Sequence, residues 1–188
     1  MTPSRDDATP GKLDELRGQL PKARAGSPPL HLWQPEYSGD IDIVIHRDGH
    51  WSHEGSPIRR ESLVRLFASI LRREADGNYY LVTPVEKWRI QVEALPLLIV
   101  DFDLVSETPG GQQLQVVTNT GERYPVGRDY PLIFPDAGDP GIPAVALDHG
   151  ITAQFNRATW YRLVAESQER GGVSGILSDD LFFPLEPG

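Results

Sequence analysis

Cysteine is absent from this sequence of 188 residues. Its absence excludes disulfide scaffolds, cysteine-based zinc fingers, iron–sulfur proteins and thiol nucleophiles. Basic residues are also scarce, with 18 Lys and Arg against 27 Asp and Glu and a formal net charge of -9. Because phosphate neutralisation needs Lys and Arg, this balance argues against a partner of bulk nucleic acid. No apolar run approaches the roughly 20 residues that cross a bilayer, and the N-terminus lacks the apolar stretch of a secretory signal. We therefore expect a soluble, cytoplasmic protein.

Alternating apolar residues predict a β-hairpin as the first ordered element. A three-residue loop with Gly49 in the left-handed conformation fits the sequence between the two strands. This register places Trp51 opposite Ile45 and His53 opposite Ile43. A two-residue turn would move Trp51 to the polar face, so we favour the longer loop.

Helical spacing of apolar residues predicts a helix over residues 60–74, followed by a strand over 78–83. Most of the following chain alternates as β-structure, and Asn156 is placed to cap a final helix. Residues 58–67 and 155–164 share an ordered pattern of Arg, hydroxyl and large apolar residues. This echo predicts an internal duplication, and a chance match between two amphipathic helices is the alternative.

These elements predict an α+β fold built from two small sheet-plus-helix domains with related motifs. We expect a flexible leader over 1–29 and an N-terminal α+β domain over 30–84. A β-rich C-terminal domain with a final helix is expected over 85–170, and a tail over 171–188. The proposed junction is at Pro84, because proline interrupts the preceding strand.

Several motifs resemble those of a known family. They are Trp33-Gln34-Pro35, Gly39-Asp40-Ile41-Asp42-Ile43, Asp48-Gly49-His50-Trp51 and Leu81-Val82-Thr83-Pro84-Val85-Glu86-Lys87. On these residues the chain resembles the bacterial domain of unknown function 1285 family. The resemblance implies a second half shaped as a pleckstrin-homology-like, partly closed antiparallel barrel with a C-terminal helix. It also implies no established enzymatic activity, and a site between the domains for a nucleotide-like molecule in signalling.

Two arginines at predicted helix starts, Arg60 and Arg157, are candidates for binding an anion. A cation in the first turn opposes the helix dipole, so a bound anion or a nearby carboxylate must compensate for it. Free amides and a guanidinium together form a good phosphate or carboxylate site. The alternative is a salt bridge, which an acidic protein readily supplies.

The predicted junction supplies three further candidates, Thr83, Glu86 and Lys87. Adjacent residues of a strand project to opposite faces, so Glu86 and Lys87 are not both expected at one open surface. A hydroxyl, a carboxylate and an ammonium group at a junction suit the lining of a cleft. The alternative is an interdomain salt bridge with the other side chain in solvent.

Two other clusters, one of histidines and one of aspartates, are weaker candidates for a functional site. The predicted register separates His53 from His46 and His50, so only two imidazoles converge and we expect no metal site. Asp101 and Asp103 share a strand face, at a spacing compatible with paired-carboxylate chemistry, although such residues more often form a solvated face.

We therefore predict a binding module, not an enzyme, with no cofactor. A small anionic or nucleotide-like ligand is expected between the domains, in bacterial signalling or regulation. The alternative is a protein-interaction or homo-oligomerisation domain without a small ligand, and a third hypothesis is a carboxylate-based hydrolase.

Overall fold

The computed structural model describes residues 11–19, 27–108 and 111–187. Its N-terminal part holds a six-stranded sheet in the order β3-β2-β1-β6-β5-β4, which we call the N-terminal sheet. Strands β1 and β6 pair in parallel, and the other neighbours are antiparallel. The elements are α1 (Lys12–Gln19), a 3-10 turn (Leu30–Leu32), β1 (Tyr37–Ile45), β2 (Trp51–His53), β3 (Ser56–Pro57), α2 (Glu61–Ser69), β4 (Leu71–Arg73), β5 (Tyr79–Val82) and β6 (Lys87–Val92).

The C-terminal part holds a second six-stranded sheet, the C-terminal sheet, which curls into a half-barrel in the order β10-β11-β12-β7-β8-β9. Strands β7 and β12 pair in parallel. A helix and a small antiparallel sheet of β13, β14 and β15 follow. The elements are β7 (Leu97–Thr108), β8 (Gly111–Thr118), β9 (Arg123–Pro125), β10 (Leu132–Ile133), β11 (Ala144–Ala146), a 3-10 turn (Asp148–Gly150), β12 (Thr152–Phe155), α3 (Arg157–Ala165), β13 (Gln168–Arg170), β14 (Val173–Ser178) and β15 (Leu181–Pro184).

The predicted α+β class with two sheet-rich domains is confirmed, and the two large sheets have the same strand order. In each, two three-stranded meanders are joined by a parallel pair between the first and last strands. Helix α2 lies between the third and fourth strands of its sheet, whereas α3 follows the sixth. Each helix is followed by a three-stranded antiparallel meander, so the similarity between the halves extends beyond the helices.

The predicted register of the first hairpin is confirmed. Ile45 pairs with Trp51, and Ile43 pairs with His53. Gly49 has a φ of 87°, in the region that the three-residue loop requires. Trp51 is 1% exposed, so this register brings the indole into the core.

The predicted helix over residues 60–74 is too long, because α2 ends at Ser69. Leu71 instead pairs with Leu81, and both side chains are buried. Gly77, which suits a helix stop, occupies the turn between β4 and β5, where its amide donates to the carbonyl of Glu74 at 2.9 Å. The short apolar run near Leu71 is compatible with either a helix or a strand, and it forms a strand because it pairs with β5.

Both predicted terminal segments contain ordered structure. In the leader, Leu16 of α1 is fully buried and belongs to the core. In the segment 171–188, β14 and β15 form strands, and the Ser178 hydroxyl donates to the carbonyl of Val126 at 2.5 Å. The same hydroxyl accepts the amide of Leu114 at 2.8 Å, which ties β14 to the C-terminal sheet.

Pro84 lies in the turn between β5 and β6. Strand β6 pairs with both β5 and β1, so this turn is within the N-terminal sheet. This sheet therefore continues to Val92, beyond the junction expected at Pro84. Among the described residues, no helix is both long and apolar enough to cross a membrane.

Candidate functional site: the groove between the domains

The tip of the first hairpin, residues 46–50, contacts the C-terminal domain. The Asn119 amide donates to the carbonyl of Gly49 at 3.2 Å, and its Oδ1 accepts from the amide of Leu98 at 3.1 Å. A Cβ added to Gly49 would lie 2.8 Å from Asn119 Nδ2. Glycine is therefore required here both by its backbone conformation and by the close approach of the two domains.

Beside this contact lies a groove of about 420 Å³ that both domains line. We call it the interdomain groove. The N-terminal domain contributes the hairpin tip and the beginning of α2, and the C-terminal domain contributes β7 and the end of β8 with the turn that follows. Its lining residues are Gly49, His50, Trp51, Ile58, Arg59, Glu61, Val64, Arg65, Val100, Val117, Thr118, Asn119, Thr120 and Gly121.

Two basic side chains, Arg59 and Arg65, are among the residues that line the interdomain groove. Arg59 is exposed, and Arg65 is 58% exposed and pairs with Glu61 at 3.0 Å. Val64, one helical turn from Arg60, contributes an apolar surface from the same helix. The groove thus combines guanidinium groups with apolar side chains, a combination that suits an anion attached to an apolar body.

The beginning of α2 has no side-chain cap. Arg60 is the N-cap residue, and its carbonyl accepts from the amides of Leu63 and Val64 at 3.0 and 3.2 Å. The amides of a first helical turn point away from the helix and favour negative charge. Arg60 itself is exposed, and it forms no ion pair within the part of the chain that the structure describes.

Trp51 adds an unpaired donor to the groove lining. Its side chain is buried, and its indole N–H has no hydrogen-bond partner among the described residues. Burying a donor without a partner is unfavourable by about 1–3 kcal/mol. The Trp51 ring also stacks on Phe67 at 6.4 Å, so burial of its large apolar surface offsets this cost.

Arg157, the second predicted helix-start arginine, forms a salt bridge. Its Nε lies 3.3 Å from Asp139 Oδ2, and Arg47 of the hairpin tip lies 3.6 Å from the same carboxylate. Gln154 accepts from the backbone amide of Asp139 at 2.9 Å, which holds the Asp139 backbone in place. The salt-bridge alternative therefore describes Arg157, which does not line the interdomain groove.

Thr83 and Glu86 form a turn between β5 and β6. The buried Thr83 hydroxyl accepts from the amides of Val85 and Glu86 at 3.3 and 3.0 Å. The Glu86 carboxylate accepts from the indole of Trp88 at 3.1 Å. These contacts describe a stabilised turn within the N-terminal sheet.

Lys87 belongs to an ionic network with Glu74 and Arg72. Its Nζ lies 3.0 Å from Glu74, and Arg72 lies 2.6 Å from the same carboxylate. Burial raises the pKa of Glu74, but hydrogen bonds from Lys87 and Arg72 outweigh burial and hold the pKa below its ordinary value. Lys87 also lies 5.1 Å from the centre of the Tyr80 ring.

The structure does not bring the five predicted residues together. Lys87 lies beside Tyr37 at the start of the parallel pair, whereas Val92 lies beside Ile45, next to the hairpin tip. Five strand residues span about 17 Å, so Thr83, Glu86 and Lys87 are at the far end of the sheet. Among these five residues, Arg60 lies in the sequence between two residues that line the groove, Arg59 and Glu61.

The histidines of the hairpin tip form a stacked pair. The rings of His46 and His50 lie 4.0 Å apart and nearly parallel. His46 contacts Glu93 at 3.0 Å through Nδ1 and Ser52 at 2.7 Å through Nε2. No group of three or more metal ligands is found in the described ranges.

Asp101 and Asp103 each pair with an arginine. Asp101 lies 2.9 Å from Arg162, and Asp103 lies 2.7 Å from Arg123. Both carboxylates are more than half exposed. They form two solvated ion pairs on the strand face.

Sequence reasoning missed Arg59, Arg65 and the valines that line the groove. The adjacent arginines at 59 and 60 were an available signal, since two cations before a helix concentrate positive charge at its start. Val100 and Val117 had no comparable signal, because only the packing of the two domains brings them to α2.

Comparisons with known proteins agree with the resemblance in the sequence. Residues 28–95 match the N-terminal domain, and residues 96–185 the C-terminal domain, of the DUF1285 family of unknown function. The crystal structure of a DUF1285 family protein from Silicibacter pomeroyi DSS-3 is 36% identical, with a TM-score of 0.81, and the match covers 95% of this chain and 96% of that one. A second, from Shewanella baltica OS155, is 33% identical with a TM-score of 0.53, covering 66% of this chain and 91% of that one. No curated protein matches the sequence.

Proposed function

We propose that this chain, which belongs to the DUF1285 family, is a binding module that holds a small anionic ligand between its two domains. The observation that carries this proposal is the interdomain groove, with Arg59 and Arg65 beside apolar residues of both domains. Arg60 adds positive charge at the start of α2. A nucleotide-like ligand in bacterial signalling or regulation fits this description.

The chemistry of the groove supports an anion with an apolar part. A guanidinium group and the free amides of a first helical turn attract phosphate or carboxylate oxygens. Val64, Val100 and Val117 provide an apolar surface for the rest of the ligand. Because the whole chain is acidic, this local positive charge concentrates anions where the rest of the surface repels them.

A thermal-shift screen against nucleotides and other phosphorylated metabolites tests the proposal. Any compound that stabilises the protein is then titrated calorimetrically against the wild type, Arg65→Gln and Arg123→Gln. Arg65 and Arg123 form a matched pair, since each is 58% exposed and each has one carboxylate partner. Only Arg65 lines the groove.

We expect Arg65→Gln to weaken binding about tenfold or more, since a charged hydrogen bond contributes about 1.5–3 kcal/mol. Arg123→Gln is expected to bind as the wild type does. Equal losses in both variants would indicate a general charge effect. The absence of stabilisation by any compound would contradict the proposal and favour the alternative.

The alternative function is a protein-interaction or homo-oligomerisation domain. Tyr161 is 66% exposed and Val164 is 39% exposed, and they lie three residues apart on α3. Their spacing places both on one helix face. Sedimentation of the wild type and of Tyr161→Lys tests this function: an oligomer that dissociates in the variant supports it, and a monomeric wild type at high concentration contradicts self-association.

A further inference from the structure

We propose that the interdomain groove selects organic anions over inorganic ones, and that Val100 is the residue that determines this specificity. The proposal rests on the binding function proposed for the groove, and it adds the chemical class of the ligand. It is carried by a β-bulge in β7, which leaves an apolar side chain exposed in the groove lining. The ligand that fits is a phosphate or carboxylate attached to a small aromatic or aliphatic body.

Val100 is the extra residue of the β-bulge in β7. Ile99 and Asp101 pair with consecutive residues of β8, Thr118 and Val117, so two steps along β7 match one step along β8. A bulge of this kind bends the strand and redirects the side chains around it. The burial agrees with this geometry, since Ile99 is fully buried whereas Val100 is 39% exposed.

The bulge also has a structural use, because it turns Asp101 outward. In an unbroken strand, Asp101 would share the core face with Ile99. Its carboxylate is instead 56% exposed and lies 2.9 Å from Arg162 of α3. This ion pair explains why β7 has an extra residue, but it does not explain why that residue is apolar. A single exposed valine would need no explanation, so the surroundings of Val100 decide.

Val100 is not isolated, because it shares the groove lining with two other valines. Val117 lies on the outward face of β8, between the buried Val116 and Thr118, and Val64 comes from α2 of the N-terminal domain. Branching at Cβ restricts the rotamers of valine, so these side chains lose little freedom when a ligand covers them. The three valines thus provide a pre-organised apolar surface to which both domains contribute.

The charge of the groove lining is too small to select an inorganic anion by itself. Its permanent charges are those of Arg59, Arg65 and Glu61, so two guanidinium groups and one carboxylate leave a net charge of +1. Glu61 pairs with Arg65 at 3.0 Å, and all three side chains are exposed to water, which weakens their interaction with an anion. Apolar contact therefore has to supply the rest of the affinity, and an anion without an apolar body should bind weakly.

Two phosphate monoesters test this selectivity, because they differ only in the group attached to the phosphate. Phenyl phosphate carries a ring that can cover the valines, whereas methyl phosphate carries a single methyl group. Each compound is titrated into the whole chain, and NMR spectra of the valine methyl groups report the affinity and the position of the ring. Val100→Thr places a hydroxyl at the bulge and keeps the branched Cβ. Val173→Thr is the matched control, since Val173 is 41% exposed on β14 and lies outside the groove lining.

We expect the wild type to bind phenyl phosphate about tenfold more tightly than methyl phosphate, because the ring removes apolar surface from water. The ring should shift the methyl resonances of Val100 and Val117. Val100→Thr should weaken the binding of phenyl phosphate about threefold to tenfold and leave the affinity for methyl phosphate unchanged. Val173→Thr should bind both compounds as the wild type does.

Failure of this inference is distinguishable from failure of the proposed function. If both compounds bind equally and Arg65→Gln weakens both, the groove binds anions without selecting organic ones, and the inference is overturned while the proposed function stands. Equal effects of Val100→Thr and Val173→Thr on phenyl phosphate also overturn the inference. If neither compound shifts any resonance of the groove lining, both the inference and the proposed function are contradicted.

Discussion

Replacing Glu74 by Gln removes a carboxylate that lies between two part-buried cations. Arg72 is 11% exposed, Lys87 is 18% exposed and Glu74 is 25% exposed. An exposed ion pair contributes about 0–1 kcal/mol, whereas loss of one partner from a buried pair costs about 3–5 kcal/mol. The Glu74 network lies between these limits, and glutamine retains one acceptor, so we expect Glu74→Gln to lower the free energy of unfolding by about 2–3 kcal/mol.

Urea unfolding at neutral pH measures this loss, and Glu61→Gln is the matched control. Glu61 is 83% exposed and pairs with Arg65, so its replacement should cost about 0.5 kcal/mol or less. A loss below about 0.5 kcal/mol for Glu74→Gln would refute the reasoning, because the network would then behave as a surface pair.

The pH dependence of unfolding provides a second test of the Glu74 network. The pKa of Glu74 lies below 4.5 in the folded protein. Its contribution is therefore fully present above pH 4.5 and is lost as the pH falls through the folded pKa. The difference in stability between the wild type and Glu74→Gln should shrink in acid, and a difference that is constant with pH would contradict an ionic origin.

Three further predictions concern separate parts of the fold. Gly49→Ala should lower the free energy of unfolding by about 1 kcal/mol or more, because φ is positive and the new methyl meets Asn119; an unchanged thermal midpoint would contradict this. Asn156→Ala should lower the free energy of unfolding by about 1 kcal/mol, because the α3 cap is lost, whereas Asn156→Asp should be close to the wild type in urea unfolding. Equal losses in the two variants would exclude capping as the cause. The hydrogen bond from Tyr80 helps lower the pKa of Asp76 to about 2, so Tyr80→Phe should raise that pKa in a carboxyl NMR titration, and no change would exclude this contact as the cause.

Local pattern was sufficient to predict the first hairpin and the cap of α3. Alternating isoleucines and Gly49 determine the register of β1 and β2 within a few residues of chain. Asn156 binds an amide only three residues away, at Thr159. Such contacts are visible in a sequence because both partners lie within one short segment.

The other predictions were incomplete because they depend on contacts between segments that lie far apart in the sequence. The residues Leu71 and Arg72 suit a helix end as well as a strand, and only pairing with β5 distinguishes them. The same limit applies to the candidate site, since Arg59 and Val100 meet across the domains. Lys87, the first residue of β6, pairs with Glu74, which directly follows β4, and no pattern of adjacent residues indicates this contact.

The parallel pairs that join the meanders have a consequence for the folding kinetics. Tyr37 faces Lys87 in one sheet, and Leu97 faces Ala153 in the other, so each pair closes a long loop of chain. Loop-closure entropy opposes such contacts until the rest of each sheet exists. The meanders can form early from local turns, whereas joining β1 to β6 and β7 to β12 must await them. Mutations in these parallel pairs should therefore change the unfolding rate of the protein more than the rate at which the hairpins form.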